Sequence, residues 1–285
     1  MSDSGKTENG KADSGKAGGD DTVGELFRAG KLTAAVEAAG AAVRKAPGDL
    51  GGRVLLAELL LFTGNLERAD VILDAAGQAD PEAMVVVAEF RQLLRADIAR
   101  RQLRRDGRVP EFLDGATENM RLVLAALVAQ RGGDVAEAAR LAAEAEAARP
   151  QVSGHAGDAA FDDFRDADDL CAGFFEVLTS TGKYFWIPTE RVESIEFHPP
   201  KRARDLMWRR ASMSVRNGPD GDVYIPAVYG SEDAALSDAL KLGRETDWQG
   251  EALVRGLGQR LFLVGEEAIG VMDLGTLEFA DVTAA

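Results

Sequence analysis

The sequence is poor in the residues on which catalysis and metal binding most often rest. Its 285 residues include one cysteine, Cys171, and two histidines, His155 and His198. A lone cysteine excludes an internal disulfide and fits a reducing compartment. Together with the two histidines it falls short of the tetrahedral set of a structural zinc site. No run of about 18 apolar residues occurs, so no membrane-spanning segment is expected. The opening MSDSGKTENGKADSGKAGGD has no apolar stretch of the signal-peptide kind, and a cytoplasmic protein is expected. No Walker A loop and no G-x-S-x-G elbow is found, and the glycine pairs Gly218–Gly221 and Gly256–Gly258 are too short to cradle a phosphate. Positive charge is scarce as well: 33 Lys and Arg stand against 48 Asp and Glu, a formal net charge of −15. That balance argues against general binding to nucleic acid or an acidic lipid surface.

What is present points to about two domains. Residues 1–20 are mostly Gly, Ser, Asp and Lys and are expected to be a disordered tail, because little in them offsets the entropy of ordering. Residues 21–150 are rich in Ala and Leu and are expected to be helical. Within them an internal repeat runs through GKLTAAVEAAGAAVRKAP (Gly30–Pro47), GNLERADVILDAAGQADP (Gly64–Pro81) and GDVAEAARLAAEAEAARP (Gly133–Pro150). Each begins with Gly, then has an apolar third residue, Ala at the sixth place and Pro at the eighteenth. Glycine permits a tight turn between antiparallel helices. Ala35, Ala69 and Ala138 are small enough for close helix contact, and proline ends the second helix. The first two units start 34 residues apart, the period of a tetratricopeptide repeat. Between the second and third units the pattern fails. Pro81–Gly107 reads as one long helix with a basic end suited to the helix dipole, and Arg105–Gly115 as a loop.

Residues 151–169 are Gly- and Asp-rich and read as an acidic connector. Residues 170–285 read as an α+β domain with a mainly antiparallel sheet. The expected strands include a hairpin of Phe174–Thr179 and Tyr184–Ile187, then Arg191–Phe197, Asp222–Tyr229, Arg260–Gly265 and Ala268–Gly275. Glu232–Gly243 reads as a short helix. The fold class expected is therefore multidomain: a repeat-type α-superhelix followed by an α+β domain.

Three features have chemical potential. The run Asp158, Asp162, Asp163, Asp166, Asp168 and Asp169 could offer oxygen ligands, but it lacks the spacing of a calcium loop and reads better as a solvated connector or capped helix start. Cys171 lies in LCAGFF and reads as a buried apolar thiol. No cofactor or metal is expected. The third feature is FHPPKRARDLMWRRASM (Phe197–Met213), basic and aromatic in an acidic chain. After Pro199–Pro200 it reads as a short helix or irregular turn, on which Arg204 and Trp208 would stack. Its residues Arg202, Arg204, Trp208, Arg209 and Arg210 are the candidate partner-binding set, since Trp and Arg are enriched in hot spots. The competing reading packs Trp208 into the core and pairs the arginines with the acidic connector.

Long strings then carry a resemblance. FRDADD (Phe164–Asp169), EVLTSTGKYFWIPTERVESIEFHPPKRARDLMWRRASM (Glu176–Met213), VYIPAVYGSE (Val223–Glu232) and GRVLLAELLLFTGNLERAD (Gly52–Asp70) resemble the ImpE family, which includes the TagJ-like type VI secretion accessory proteins. The likeness extends over about residues 22–280. It implies a cytoplasmic, non-enzymatic accessory or adaptor protein. TagJ-like members bind the N-terminal helix of the small contractile-sheath subunit and are linked to the ClpV ATPase that disassembles the sheath. The resemblance carries no catalytic residue. The alternative is a metal-dependent or cysteine enzyme with its site between the two domains.

Overall fold

Gly30, Gly64 and Gly133 all adopt positive φ, at 77°, 74° and 80°, a conformation that strains any residue with a side chain. In this computed structural model, which describes residues 22–79, 84–230 and 235–282, each of these glycines joins two antiparallel helices. The pairs are α1 (Val23–Arg28) with α2 (Leu32–Lys45), α3 (Leu50–Phe62) with α4 (Leu66–Ala79), and α6 (Glu118–Arg131) with α7 (Val135–Ala147). Between the last two pairs runs α5 (Met84–Asp106). Ala35, Ala69 and Ala138 are all 0% exposed, so the sixth-place alanine is the close-contact residue of every unit. Side-chain caps fix the starts: Thr22 accepts from the Glu25 N–H, Thr117 from Met120 and Asp134 from Glu137. The expected tail, residues 1–20, lies outside the described residues.

The remainder is built on an eight-stranded antiparallel sheet in the order β2-β1-β13-β6-β7-β8-β4-β5. Its strands are β1 (Gly154–Ala156), β2 (Ala159–Phe161), β4 (Phe174–Leu178), β5 (Tyr184–Pro188), β6 (Val192–Phe197), β7 (Trp208–Val215), β8 (Asp220–Pro226) and β13 (Thr276–Phe279). A three-stranded sheet joins β3 (Phe164–Asp166) to β11 (Leu261–Val264) and β12 (Glu267–Gly270). A short helix α8 (Asp238–Lys241) precedes the hairpin of β9 (Thr246–Gln249) and β10 (Arg255–Gly258). The expected hairpin forms as β4–β5, with Phe174 opposite Pro188 and Leu178 opposite Tyr184.

Two expectations need correction. Residues 151–169 are not a free connector: they form β1, β2 and β3 and pair with β13 and β11. Residues 203–206 make one 3-10 turn, and from Trp208 the basic segment is a central strand between β6 and β8. The loop after α5 has a covering role, because Glu111 exchanges backbone hydrogen bonds with Tyr184 (2.9 Å) and Trp186 (3.1 Å) and so pairs with the edge strand β5.

β4 shows how the layers are separated. All five of its residues are buried. Phe175 and Val177 point to one side, where they join Ile195, Met213, Phe164 and Phe262 in a core between the sheets. Phe174 and Leu178 point to the other, where they join Trp186, Trp208 and the helical residues Phe90 and Leu94 in a second core. The helical array and the sheet domain therefore share one apolar cluster. Glu176, with the parity of Phe174 and Leu178, faces the helices.

Candidate functional site

The basic segment begins with a turn held by its one acid. The Asp205 carboxylate accepts the backbone N–H groups of Lys201 (2.8 Å) and Arg202 (3.1 Å). The turn then delivers Arg204 inward. Arg204 is 6% exposed, lies 4.9 Å over the Phe90 ring and donates to Glu89 at 3.3 Å. Trp208 is 1% exposed and meets the same Phe90 edge-on, with ring centroids 5.9 Å apart. The expected Arg204–Trp208 stack is thus replaced by two separate contacts with one ring of α5.

Arg209 is buried on the opposite face of β7. It sits 5.1 Å from the Phe197 ring centroid and donates to the carbonyls of His198 (3.3 Å) and Val271. Arg210 is exposed and pairs with Asp222 at 2.6 Å. Of the five candidate residues, Arg204, Trp208 and Arg209 are buried and hold the chain's own elements together, while Arg202 and Arg210 face the surface. The arginines do not pair with residues 151–169. Arg204 and Arg210 pair instead with Glu89 and Asp222. What remains open is a cleft of about 470 Å³ lined by Val86, Glu89, His198, Lys201, Arg202 and Arg210. Beside it Met84, Val85 and Val86 are exposed at the start of α5. On the far side of the turn lies Glu58 of α3, 6% exposed. Burial raises its pKa to about 7 against the opposing pull of Arg204 and Arg202.

A second assembly was not foreseen from the sequence. Glu176 accepts two hydrogen bonds from Arg100 (3.1 and 3.0 Å), one from Arg260 and one from the Tyr184 hydroxyl. Arg260 also pairs with Asp166 at 3.3 Å, and Asp166 accepts from Tyr229 at 2.9 Å. Asp168 takes the Arg255 guanidinium at 2.9 and 3.0 Å and the N–H groups of Leu170 and Gly256. Of the six acids expected to be solvated, Asp166 and Asp168 are thus core residues, Asp163 and Asp169 are half-buried, and Asp158 and Asp162 are exposed as expected. The end of α5 does more than complement a helix dipole, since Arg100 reaches into the sheet domain. Burial alone would raise the Glu176 carboxyl, but Arg100, Arg260 and Arg104 together hold it well below the usual range.

Cys171 stands beside this network, 2% exposed, with Arg104 Nη2 3.7 Å from its sulfur. Burial pushes its thiol well up, and Asp168 and Glu176 add to the effect, so the thiolate needed for attack is disfavoured. His198 bonds to Ser212 and His155 lies opposite Glu278 on β13. Among the described residues, no three His, Cys, Asp or Glu groups are placed to hold a metal ion, and no helix is long and apolar enough to cross a membrane. The only hint of this network in the sequence was a charge inside FFEVL, an otherwise apolar strand.

Comparison with known proteins agrees with this architecture. The tetratricopeptide-repeat family matches residues 26–94, and the ImpE protein family matches residues 158–278. The type VI secretion system accessory component TagJ of Pseudomonas aeruginosa is 31% identical over 260 residues, 91% of this chain and 92% of that protein. A crystal structure of a protein from Vibrio parahaemolyticus superposes with a TM-score of 0.85 at 28% identity, covering 92% of this chain and 98% of that one. A likeness at 31% identity over 91% of the chain is longer than either region alone, and by it the chain belongs to the ImpE family.

Proposed function

We propose that this protein is a non-enzymatic accessory component of a type VI secretion machine, and that it captures a helix of the small contractile-sheath subunit. In this role it works in the cytoplasm, linked to the ClpV ATPase that takes the contracted sheath apart. The observation that carries the reading is the 31% identity to TagJ over 91% of the chain. The surface chemistry supports it. Exposed Met84, Val85 and Val86 offer an apolar strip, and Lys201 and Arg202 flank it with positive charge. An amphipathic helix with acidic residues beside its apolar stripe would satisfy both.

The test is calorimetric titration of the full chain with the cognate small sheath subunit. Binding is expected at about micromolar affinity, with Val85→Asp weakening it by about tenfold or more while melting stays as in the parent. Absence of binding at tens of micromolar, with both proteins folded, overturns the reading.

A further inference from the structure

A second cleft lies away from the surface just described, where α3, α5 and the residues leading to α8 meet. Its volume is about 280 Å³. One wall is apolar, with Leu61, Phe62, Met207, Val228 and Leu240. The other carries the guanidinium groups of Arg100, Arg101 and Arg104. Two glycines make room for them. A Cβ on Gly64 would lie 3.0 Å from Arg101 Nη1, and one on Gly230 would lie 3.5 Å from Arg104 Nε and 3.7 Å from Arg100 Nη1.

These three arginines differ in their direct partners, although Glu176 and Asp168 also attract the Arg104 charge from within the network. Arg100 is paired with Glu176, and Arg101 with Asp97 at 3.2 Å. Arg104 forms no ion pair among the described residues. Its Nη2 reaches only the neutral Cys171 thiol, and its buried Nε has no hydrogen-bond partner. A buried donor left unsatisfied costs free energy that an incoming acceptor recovers. Small-molecule sites have this form, a mostly apolar concavity with a few convergent polar groups.

We propose that this cleft binds a small organic anion: one carboxylate taken by Arg104 and Arg101, with a short aliphatic body laid against Leu61, Phe62 and Met207. The size of the cleft selects the class. A helix is about 10–12 Å across and does not enter a space of this volume, so the occupant is a small molecule and not the captured sheath helix. The ligand would bridge the helical array and the sheet domain, since Arg101 and Leu61 belong to one and Val228 and Leu240 to the other.

The experiment uses the full chain alone, with octanoate as probe, octanamide as its uncharged counterpart and inorganic phosphate as an anion without an apolar body. Octanoate is expected to bind and to raise the melting temperature, with octanamide and phosphate at least about tenfold weaker. Arg104→Gln should abolish the octanoate effect. Because that change also alters the surroundings of Glu176, Arg101→Gln is the second variant. Its side chain is 30% exposed, but its loss leaves buried Asp97 with Arg100 alone, so the free variant should melt lower. The readout is the octanoate-induced shift above each variant's own ligand-free value, which should be several-fold smaller. No octanoate binding at millimolar concentration overturns the proposal, as does equal binding of octanamide or undiminished binding by both variants. No sheath subunit is present, so this outcome is independent of helix capture.

Discussion

In α6 and α7 the ion pairs are written inside one helix and stand in water: Arg121 with Glu118, and Arg140 with Glu137 and Glu144. Where α5 meets the sheet domain, the partners come from distant parts of the chain. Arg100 and Glu176 are 76 residues apart, Arg260 and Glu176 84, and Arg255 and Asp168 87. Their side chains are removed from water almost completely. Exposed pairs contribute little, because water screens them and two long side chains must be ordered. A buried pair also contributes little net attraction once desolvation is counted, yet breaking it strands a charge. The helical array is thus held mainly by shape, through small residues at helix contacts, with one cross-helix ion cluster of Arg91 with Asp70 and Asp74 between α4 and α5. The junction is held by shape and by charges that tolerate only one arrangement. α5 belongs to both: Arg91 pairs with Asp70 and Asp74 of α4, while Phe90 meets Trp208 and Arg100 is committed to β4.

This contrast is most directly broken at Glu176. Glu176→Ala leaves Arg100 and Arg260 facing each other without their shared carboxylate, and should cost about 3–5 kcal/mol. Urea unfolding followed by tryptophan fluorescence measures it, with Trp186 and Trp208 both buried in the shared core. A loss under about 1 kcal/mol would mean the network is incidental to stability.

In the array the sensitive change is one of volume. Ala69→Leu places extra methylenes at a helix contact that is 0% exposed and should cost about 1–3 kcal/mol. Val71, two residues on, is 68% exposed, and Val71→Ala should leave the midpoint unchanged. Equal effects at the two positions would contradict close packing as the organising feature of the repeat.

The contrast is sharpened last by a pH dependence at Glu58, where array and basic segment touch. Its folded pKa, about 7, lies above its ordinary value of 4.5. The folded state therefore holds this proton more tightly than the unfolded state. The resulting stabilisation is complete below the ordinary value and is lost as pH rises through the folded one. Glu58→Gln, which stays neutral, should gain in melting temperature relative to the parent between pH 4.5 and about pH 7. A difference that does not change with pH would mean that Arg204 and Arg202 keep Glu58 ionised.

The array was legible because each structural need is met by one residue type at a fixed place. Gly30, Gly64 and Gly133 take the left-handed turn, and Ala35, Ala69 and Ala138 take the contact. The family resemblance was legible in long strings on both sides of the junction. The sheet domain was readable where apolar residues gather, as in β4, β5 and β11, or alternate with polar ones, as in β6. The four-residue strands β9, β10 and β13 offer too little alternation to be seen. Residues 151–169 looked solvated because a sequence does not show which arginine meets which aspartate. Asp163 is bound by Arg149, Asp168 by Arg255, and Asp169 accepts the Val254 N–H. The basic segment admitted two readings for the same reason, and the one that packs Trp208 into the core holds. Its arginines do not meet residues 151–169 as that reading had them: Arg204 is taken by Phe90 and Glu89, and Arg209 by backbone carbonyls of the same chain.

Cys171 has a practical consequence. It is the single thiol of the chain, it is 2% exposed, and it lies beside the charges that join the two regions. A thiol-modifying dye can reach it only when that junction opens. The labelling rate of the unmodified protein is therefore a clock for separation of the array from the sheet, with no engineered residue required. Any molecule that clamps the two halves together should slow it.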